Sequence, residues 1–591
     1  MFDIFSLLTM IGGLSLFLFG MTVLSSGLEK LSGGKLEKLL EKLSGNLFKG
    51  VLLGTVVTGL IQSSSTTTVM VVGFVNSGIM RLKQAVGVIM GANIGTTITA
   101  WLLSIIGLQS DNIIIKFLKP SSLSTIVAAI GIILYMSSKR EKRRSVGQLM
   151  LGFSVLMFGM MTMSNAAGIL AENPKLAEIF TMFSNPIFGI LAGILVTALI
   201  QSSSASVGIL QALSATGAIT FSSALPIIMG QNIGTCITAL LSSIGASKNG
   251  KRTAMIHLYF NLIGTIIFII LAYTINSIVH FAFWNENVNP LTIAVIHSIF
   301  NITSTILLLP FAKTLEKLAI LTIKDKETKK VEKKQSLLDE RFLQSPSYAI
   351  SQCVNTVNDM ANSAIENYQA SYNLIKQYSP SDFEAIVEKE DKIDLMEDAL
   401  GTYLIKLTDI DLTLNESKQV SKLLHSISDF ERIADHAMNI ADLAQSMNKK
   451  SIIFSEKAQR ELQIFNNAVE EILGLASVAF RSDDYEIATM VEPLEDIIDM
   501  ICTELKNQHI NRLRTGDCTI DAGIVFLDLL NDFERIADHC SNLAVYVIEL
   551  KDEKLDAHKY LKSMHAQTPV AYTQLAEQFK QKYFDKLGEA V

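Results

Sequence analysis

At 591 residues the chain is too long for one ordinary domain, and its 49% hydrophobic share averages two unlike halves. Up to about residue 312 long apolar runs dominate; from Lys313 onward the sequence is charged and helical in pattern. The net charge of −7 comes mainly from the second half and suggests no nucleic acid partner, and five cysteines without C-x-x-C spacing exclude a disulfide framework.

The N-terminal apolar run lacks a basic leader and a small-residue cleavage site, so it reads as a retained helix. Seven stretches are long enough to span a bilayer: about 4–26, 84–106, 121–138, 146–164, 222–245, 253–280 and 291–312. Two more, about 47–79 and 186–217, carry Gln-Ser-Ser-Ser at the centre and read as re-entrant helical hairpins. A break at membrane depth is tolerable only where protein buries it or a wet cavity receives it.

Basic residues orient the spans. Lys30, Lys35, Lys38 and Lys42, then Arg81 and Lys83, then Lys139, Arg140, Lys142, Arg143 and Arg144, then Lys248, Lys251 and Arg252 all fall on one side if the N-terminus is outside. The weakly basic connections 107–120, 171–185 and 281–290 then lie outside, and the C-terminal half lies in the cytosol.

The first half repeats itself. Phe19-Gly20-Met21, Gln62-Ser63-Ser64-Ser65 and Gly91-Ala92-Asn93-Ile94-Gly95-Thr96 recur 139 residues on, at Phe158, Gln201 and Gly230-Gln231-Asn232-Ile233-Gly234-Thr235. Three spans separate the repeats, about 4–138 and 145–280, so they are inverted, with the last span at about 291–312. Inverted, polar-interrupted segments at matching positions point to a secondary-transporter binding site.

The predicted spans and hairpin cores hold no Asp, Glu, Lys or Arg, which argues against a carboxylate proton relay. Their Gln, Ser, Thr and Asn oxygens suit a hard cation such as sodium. Broken helices add N-terminal amides that favour an anion. Ser63, Ser64, Ser65 and Ser202, Ser203, Ser204 are expected to hold a tetrahedral oxyanion, with Asn93 and Asn232 beside them. Gln62, Gln201, Thr96, Thr97, Thr235 and the hydroxyls of Ser65 and Ser204 are expected to hold Na+, and a second helix break is expected at Gly95-Thr96-Thr97 and Gly234-Thr235. The competing reading, small residues for helix packing, explains one patch better than two identical ones. His257 lies one turn from Asn261 and is open to a wall or a packing role; His280 and His297 read as packing.

A charged linker, 314–340, leads to a second duplication. Asp429-Phe430-Glu431-Arg432-Ile433-Ala434-Asp435-His436 recurs at Asp532-Phe533-Glu534-Arg535-Ile536-Ala537-Asp538-His539, and Glu390-Asp391-Lys392-Ile393-Asp394 resembles Glu495-Asp496-Ile497-Ile498-Asp499. The apolar periodicity predicts two three-helix bundles over 341–591. Glu431 with Asp435, and Glu534 with Asp538, share helix faces that Asn439 and Asn542 extend.

These motifs resemble the sodium–phosphate cotransporter family, bacterial relatives of the type II animal cotransporters, over about residues 10–312. The resemblance rests on Gln62 to Thr66, Gly91 to Thr97, Gln201 to Ala205, Asn232 to Thr235, and His257 with Phe260-Asn261. It implies sodium-driven movement of inorganic phosphate across the cytoplasmic membrane by alternating access, and adds Thr66 to the phosphate-facing set. No acidic residue follows Thr97 through Leu108, where electrogenic animal members carry an aspartate, so the sodium stoichiometry stays open.

The second half resembles the PhoU domain, a regulator of phosphate transport. The resemblance implies a divalent or iron-type metal on Glu431, Asp435, Glu534, Asp538, Asp391, Asp394, Asp496 and Asp499. A solvated acidic face paired with Arg432 and Arg535 is the equal alternative, and His436 and His539 are open to ligand or packing roles. The fold expected is thus all-α: a polytopic membrane domain, 1–313, with inverted repeats and two re-entrant hairpins, then a six-helix PhoU-like domain. A membrane-anchored phosphate sensor and a phosphate exporter are the alternatives to uptake. No nucleophile–base set suggests an enzyme, no Walker-type loop suggests ATP, and a homo-oligomer is compatible with the sequence.

Overall fold

A computed structural model of the chain describes residues 4–32, 34–41, 46–105, 120–138, 140–171, 182–324, 338–516, 518–551 and 570–589. Most of the expected connections at 107–120 and 171–185 (all but 120, 171 and 182–185), most of the lysine-rich linker, and Lys42 and Lys139 lie outside them. Within them the chain is helical, apart from turns and an isolated antiparallel bridge between Thr220 and Asn287. It divides into two compact units, Met1–Tyr348 and Ala349–Val591.

The first unit holds α1 (Ile4–Ser32), α2 (Lys35–Glu41), α3 (Leu47–Ile61), α4 (Ser64–Asn76), α5 (Leu82–Ser104), α6 (Pro120–Ser137) and α7 (Glu141–Ala171). It continues with α8 (Pro186–Ile200), α9 (Ser203–Ser214), α10 (Phe221–Ser242), α11 (Lys248–Val279), α12 (Pro290–Leu308) and α13 (Ala312–Thr322). Among the described residues six helices are long and apolar enough to cross a membrane: α1, α5, α7, α10, α11, and α12 joined to α13. The seventh expected span, α6, is apolar but shorter. The last span does not end near residue 312: a turn at Leu309–Phe311 leads straight into α13, so the helix runs into the stretch expected as linker.

The repeats meet back to back through α1 and α7. A Cβ on Gly20 would lie 2.2 Å from the Leu156 amide nitrogen, and one on Gly159 would lie 2.3 Å from that of Phe17. Under the 139-residue offset Leu156 is the counterpart of Phe17, and Gly159 that of Gly20. The same two positions therefore touch twice with the helices swapped, which is the contact pattern of a two-fold axis. Gly13 meets Met163 and Gly27 meets Leu149, so α1 rises as α7 falls and the repeats are inverted. Small residues let two membrane helices approach this closely.

α3 packs on α5 and α8 on α10 in the same duplicated way. At 15 residues, α3 and α8 are each about 22 Å long, short of the roughly 30 Å hydrocarbon layer. Residues 338–348 close the unit. Asn76 at the end of α4 donates to Asp339 at 2.6 Å, Arg341 donates to the Ser242 carbonyl at 2.8 Å, and Phe74 packs on Phe342 and Tyr348.

Among the described residues the second unit holds six long helices, α14 (Pro346–Lys376, begun in the first unit), α15 (Pro380–Thr408), α16 (Leu414–Lys450), α17 (Glu456–Ser482), α19 (Val491–Thr515) and α20 (Ile520–Lys551), with the single turn α18 (Tyr485–Ala488) between α17 and α19. Beyond the six expected, a C-terminal helical segment, Val570–Phe579 through a π turn to Asp585–Glu589, packs on α19. α16 and α20, which carry the duplicated Asp-Phe-Glu-Arg segment, pack on each other. Phe430 and Phe533 are buried, against Phe480 and Phe465 respectively. Burying such a ring contributes about 1.5–3 kcal/mol.

Candidate functional site

Both serine motifs break a helix in the same way. α3 ends at Gln62, whose backbone is left-handed (φ 60, ψ 22), and Ser63 is extended before α4 begins. α8 ends at Gln201 (φ 58, ψ 23), and Ser202 is extended before α9 begins. A left-handed non-glycine residue is uncommon and marks a backbone held for a purpose. Ser63 caps α4 by accepting from the Thr66 amide at 3.2 Å, and Ser202 caps α9 by accepting from the Ala205 amide at 3.2 Å. The amides of Ser64, Ser65, Ser203 and Ser204 fall in first turns, outside the intrahelical ladder.

Both breaks line one cavity of about 710 Å³. Gln62 to Thr66 come from the first repeat, Gln201 to Ser204 from the second, and Leu18 to Glu29 of α1 supply the remaining wall. Two helix N-termini and two sets of serine hydroxyls therefore converge on one space, an arrangement suited to an anion. Among the described residues no lysine or arginine lines it. Glu29 is, because α1 runs six residues past the apolar stretch, 4–26, from which its extent was expected. The site is thus not free of carboxylates.

The two glutamines differ. Gln62 Oε1 accepts from Thr99 at 2.8 Å and its Nε2 donates to the Gly59 carbonyl, whereas the Gln201 side chain is exposed to the cavity. Ser65 Oγ lies 3.4 Å from Thr238 Oγ1, so α10 of the second repeat touches the first repeat's serine run.

Asn93, Asn232, Thr96, Thr97 and Thr235 do not line this cavity; they are buried on α5 and α10. Each asparagine donates to the carbonyl four residues back at 2.9 Å, and Thr96 and Thr235 do the same at 3.0 and 2.9 Å. The helix break expected here is absent: α5 and α10 run unbroken through both motifs. The glycines serve close approach instead. A Cβ on Gly91 would lie 2.0 Å from the Val51 carbonyl oxygen, and one on Gly230 would lie 2.1 Å from that of Ile190. Gly95 and Gly234 abut Thr58 and Thr197 of the same partner helices. The motif therefore clamps each unbroken helix against the half-helix that ends at Gln62 or Gln201.

In the second unit the duplicated segments cross-link. His436 Nδ1 is 2.8 Å from Asp532 Oδ1, and His539 Nδ1 is 2.8 Å from Asp429 Oδ1. Asn439 and Asn542 donate to the same aspartates at 3.4 and 3.1 Å. The histidines thus join the two bundles, and the asparagines face inward rather than extending the acidic faces.

Two acidic triads stand apart from them: Glu390, Asp394 and Asp435, and Glu495, Asp499 and Asp538, each with carboxylate oxygens within 4.8 Å of one another. Glu390 and Glu495 were missed in the sequence, although each lies four residues before its aspartate and so on one helix face. Asp391 is exposed, Asp496 accepts from Tyr572, and Glu534 is held by Lys506 at 2.8 Å, so none of these joins a triad. Glu431 sits beside Asp435, and burial together with that carboxylate raises it to about 7. Arg535 pairs with Asp538 at 3.2 Å.

Burial, then the charge of Asp499, raises Glu495 to about 9, and burial with Glu534 raises Asp499 to about 6. A carboxyl raised in the folded chain keeps a proton that the unfolded chain has lost, so stability falls as pH rises between the two values. For Glu495 that window runs from about 4.5 to about 9. In calorimetry of the full-length protein under chelator, the transition of the second unit is expected to move down between pH 6 and pH 8.5, and Glu495→Gln to flatten that slope. A transition indifferent to pH would contradict the raised carboxyls.

Comparison with known proteins follows the same division. Residues 16–165 and 170–284 match the Na+/Pi-cotransporter family, and residues 357–444 and 462–547 match the PhoU domain. "Uncharacterized protein YqeW" of Bacillus subtilis is 32% identical over 249 residues, 42% of this chain and 76% of its own. "Putative inorganic phosphate export protein YjbB" of Salmonella typhimurium is 22% identical over 560 residues, 94% of this chain and 100% of its own. "Sodium-dependent phosphate transport protein 2A" of Rattus norvegicus is 37% identical over 130 residues, 20% of each chain.

Proposed function

The chain belongs to the Na+/Pi-cotransporter family and carries a PhoU domain, and from that premise we propose that it is a sodium-coupled carrier of inorganic phosphate in the cytoplasmic membrane, regulated by its cytosolic half. The observation that carries this reading is the convergence of both serine breaks on one cavity. Each break pairs a helix N-terminus with hydroxyls, so phosphate oxygens meet donors from both repeats at once. Ser63 to Thr66 and Ser202 to Ser204 hold the anion. Glu29 and the free carbonyl of Gln201 hold sodium beside it, with Ser65 and Ser204 shared. Asn93, Asn232, Thr96, Thr97 and Thr235 position the half-helices from behind.

With no lysine or arginine among the described lining residues, sodium offsets the charge of the anion, and each ion lowers the cost of burying the other. That mutual dependence is the coupling. The short half-helices are re-entrant hairpins entering from opposite faces, and alternating access rocks one repeat against its inverted copy. The lysine clusters place the N-terminus outside and the C-terminal unit in the cytosol. Each net charge moved through 100 mV is worth about 2.3 kcal/mol, enough to bias the direction. Similarity along nearly the whole chain to a protein named for phosphate export favours export as the second reading.

In the second unit the two triads would hold a divalent or iron-type cation through hard carboxylate oxygens. The raised carboxyls fit that role, because a bound cation offsets both the cost of burying their charge and their mutual repulsion.

The test is uptake of labelled phosphate by proteoliposomes of the full-length protein. An inward sodium gradient is expected to drive accumulation and an equal potassium gradient is not. Accumulation indifferent to sodium would overturn the coupling.

A further inference from the structure

A second duplicated element lies outside the serine cavity. His257-Leu258-Tyr259-Phe260-Asn261, followed by Gly264 and Thr265, on α11 recurs on α12 as His297-Ser298-Ile299-Phe300-Asn301, followed by Ser304 and Thr305. The offset is 40 residues, so this pair does not belong to the 139-residue repeat.

The copies meet at equivalent positions. A Cβ on Gly264 would lie 3.0 Å from Ser304 Oγ, and the rings of Phe268 and Phe300 are 5.4 Å apart. Residue numbers rise on α11 as they fall on α12, so the helices are antiparallel, and the eighth residue of one copy touches the eighth of the other. That is a local two-fold at the crossing. Counting outward at about 1.5 Å per residue, each asparagine lies roughly 4.5 Å from the crossing and each histidine about 10.5 Å, on opposite sides. The ladder runs His257, Asn261, the hydroxyls of Ser304 and Thr265, Asn301, His297. It spans about 21 Å of a hydrocarbon layer of roughly 30 Å, with rungs about 4–6 Å apart.

Every rung is buried and carries at least one polar atom without a partner among the described residues. The six side chains are 0–3% exposed. Both ring nitrogens of His257 and His297, Oδ1 of Asn261 and Asn301, Thr265 Oγ1 and Ser304 Oγ have no hydrogen-bond partner among the described residues. Each asparagine's Nδ2 is already used on the carbonyl of its own histidine, at 3.0 and 2.9 Å. Eight such orphans together would cost a stability comparable to the whole margin of a folded protein. Their ligand must both donate, to the amide oxygens, and accept, from the imidazoles and hydroxyls. Water does both, and one water bridges two groups about 5.6 Å apart, twice a normal hydrogen bond, which is close to the rung spacing.

We propose that the paired His-x-x-Phe-Asn segments of α11 and α12 form a hydrated proton path through the membrane core, with His257 and His297 as its terminal relays. A neutral imidazole accepts a proton on one ring nitrogen and releases the proton on the other, ending neutral with its tautomer exchanged. Each water passes on one proton as it gains one, and the hydroxyls relay in the same way, so charge balances at every step and rotation of the rings resets the path. The other titratable groups on the helices packed around it include Tyr259, whose hydroxyl meets Thr322 of α13, Lys248 and Lys251 in the first turn of α11, Lys83 of α5, and Lys313, Glu316 and Lys317 of α13. Cys236 of α10 lies 3.4 Å from Asn261 Nδ2, Tyr273 is partly buried further along α11, and Arg252 is tied to the Ile323 carbonyl below His257. The proposal does not depend on phosphate binding.

The test uses full-length protein in liposomes that enclose a pH-sensitive dye, with neither sodium nor phosphate present and a potassium–valinomycin potential imposed. Proton influx is expected to exceed that of protein-free liposomes. Thr265→Val and Ser304→Ala each remove one hydroxyl rung without adding bulk, and both are expected to lower influx toward the protein-free level while phosphate uptake persists. His257→Phe is expected to abolish influx. Influx equal to protein-free liposomes, influx unchanged in both rung variants, or a current carried by added sodium instead of protons would overturn the path. Because phosphate is absent, failure of phosphate uptake leaves this result readable.

Discussion

Alanine at Ser64 and Ser203 together is expected to abolish phosphate binding and uptake while the protein remains folded. Both serines are buried, and each is the first helical residue after a left-handed glutamine and a capping serine. The caps are Ser63 and Ser202, so removing the next hydroxyl leaves each helix end intact. Alanine also suits a helix interior at least as well as serine. What is lost is a hydroxyl donor to a charged ligand, worth about 1.5–3 kcal/mol. Each single change should therefore weaken phosphate affinity by roughly tenfold to a hundredfold, and the double change by about the product. Ser63→Ala would behave differently, because loss of an N-cap costs about 1 kcal/mol of stability as well. Equilibrium binding of labelled phosphate, with size-exclusion profiles for folding, separates the two outcomes.

The second large effect concerns folding. Gly91→Val and Gly230→Val are each expected to remove the folded protein from the membrane. A Cβ at Gly91 would sit 2.0 Å from the Val51 carbonyl oxygen and 2.8 Å from the Thr55 amide nitrogen; both are backbone atoms. No rotamer change relieves a clash with backbone, so α3 would have to leave α5. Overpacking ordinarily costs about 1–3 kcal/mol, and here the strain falls on the helix that positions Gln62. Gly12→Ala is the control: nothing lies within 4 Å of its added carbon, so expression and monodispersity should match the parent.

The inverted repeat, the two serine breaks and the two bundles of the second unit were legible because each is written twice at a constant offset. Apolar length gave the spans, and lysine placement gave an inversion that the Gly20–Leu156 and Gly159–Phe17 contacts reproduce. Gly95 and Gly234 were misread as breaks, because a glycine in a helix signals either a break or a close neighbour, and the neighbours, Thr58 and Thr197, are about 37 residues away in the chain. Glu29 escaped notice because hydropathy ends the span at about residue 26, whereas α1 keeps its geometry to Ser32. The second His-x-x-Phe-Asn copy was overlooked because it is out of register with the main repeat, although its spacing was there to be read. In the second unit, counting aspartates within a motif chose Asp391 and Asp496; helical geometry instead brings Glu390 and Glu495 to the faces of Asp394 and Asp499.

All of this rests on the two serine motifs forming one binding site rather than two. The most direct measurement is the number of phosphate ions bound per chain at saturation, by equilibrium dialysis of the purified full-length protein in sodium, for the parent, Ser64→Ala and Ser203→Ala. One phosphate per chain, with affinity weakened by either substitution alone, is the result expected of a shared cavity. Two phosphates per chain, or one half of the capacity retained at parental affinity in each single variant, would contradict it.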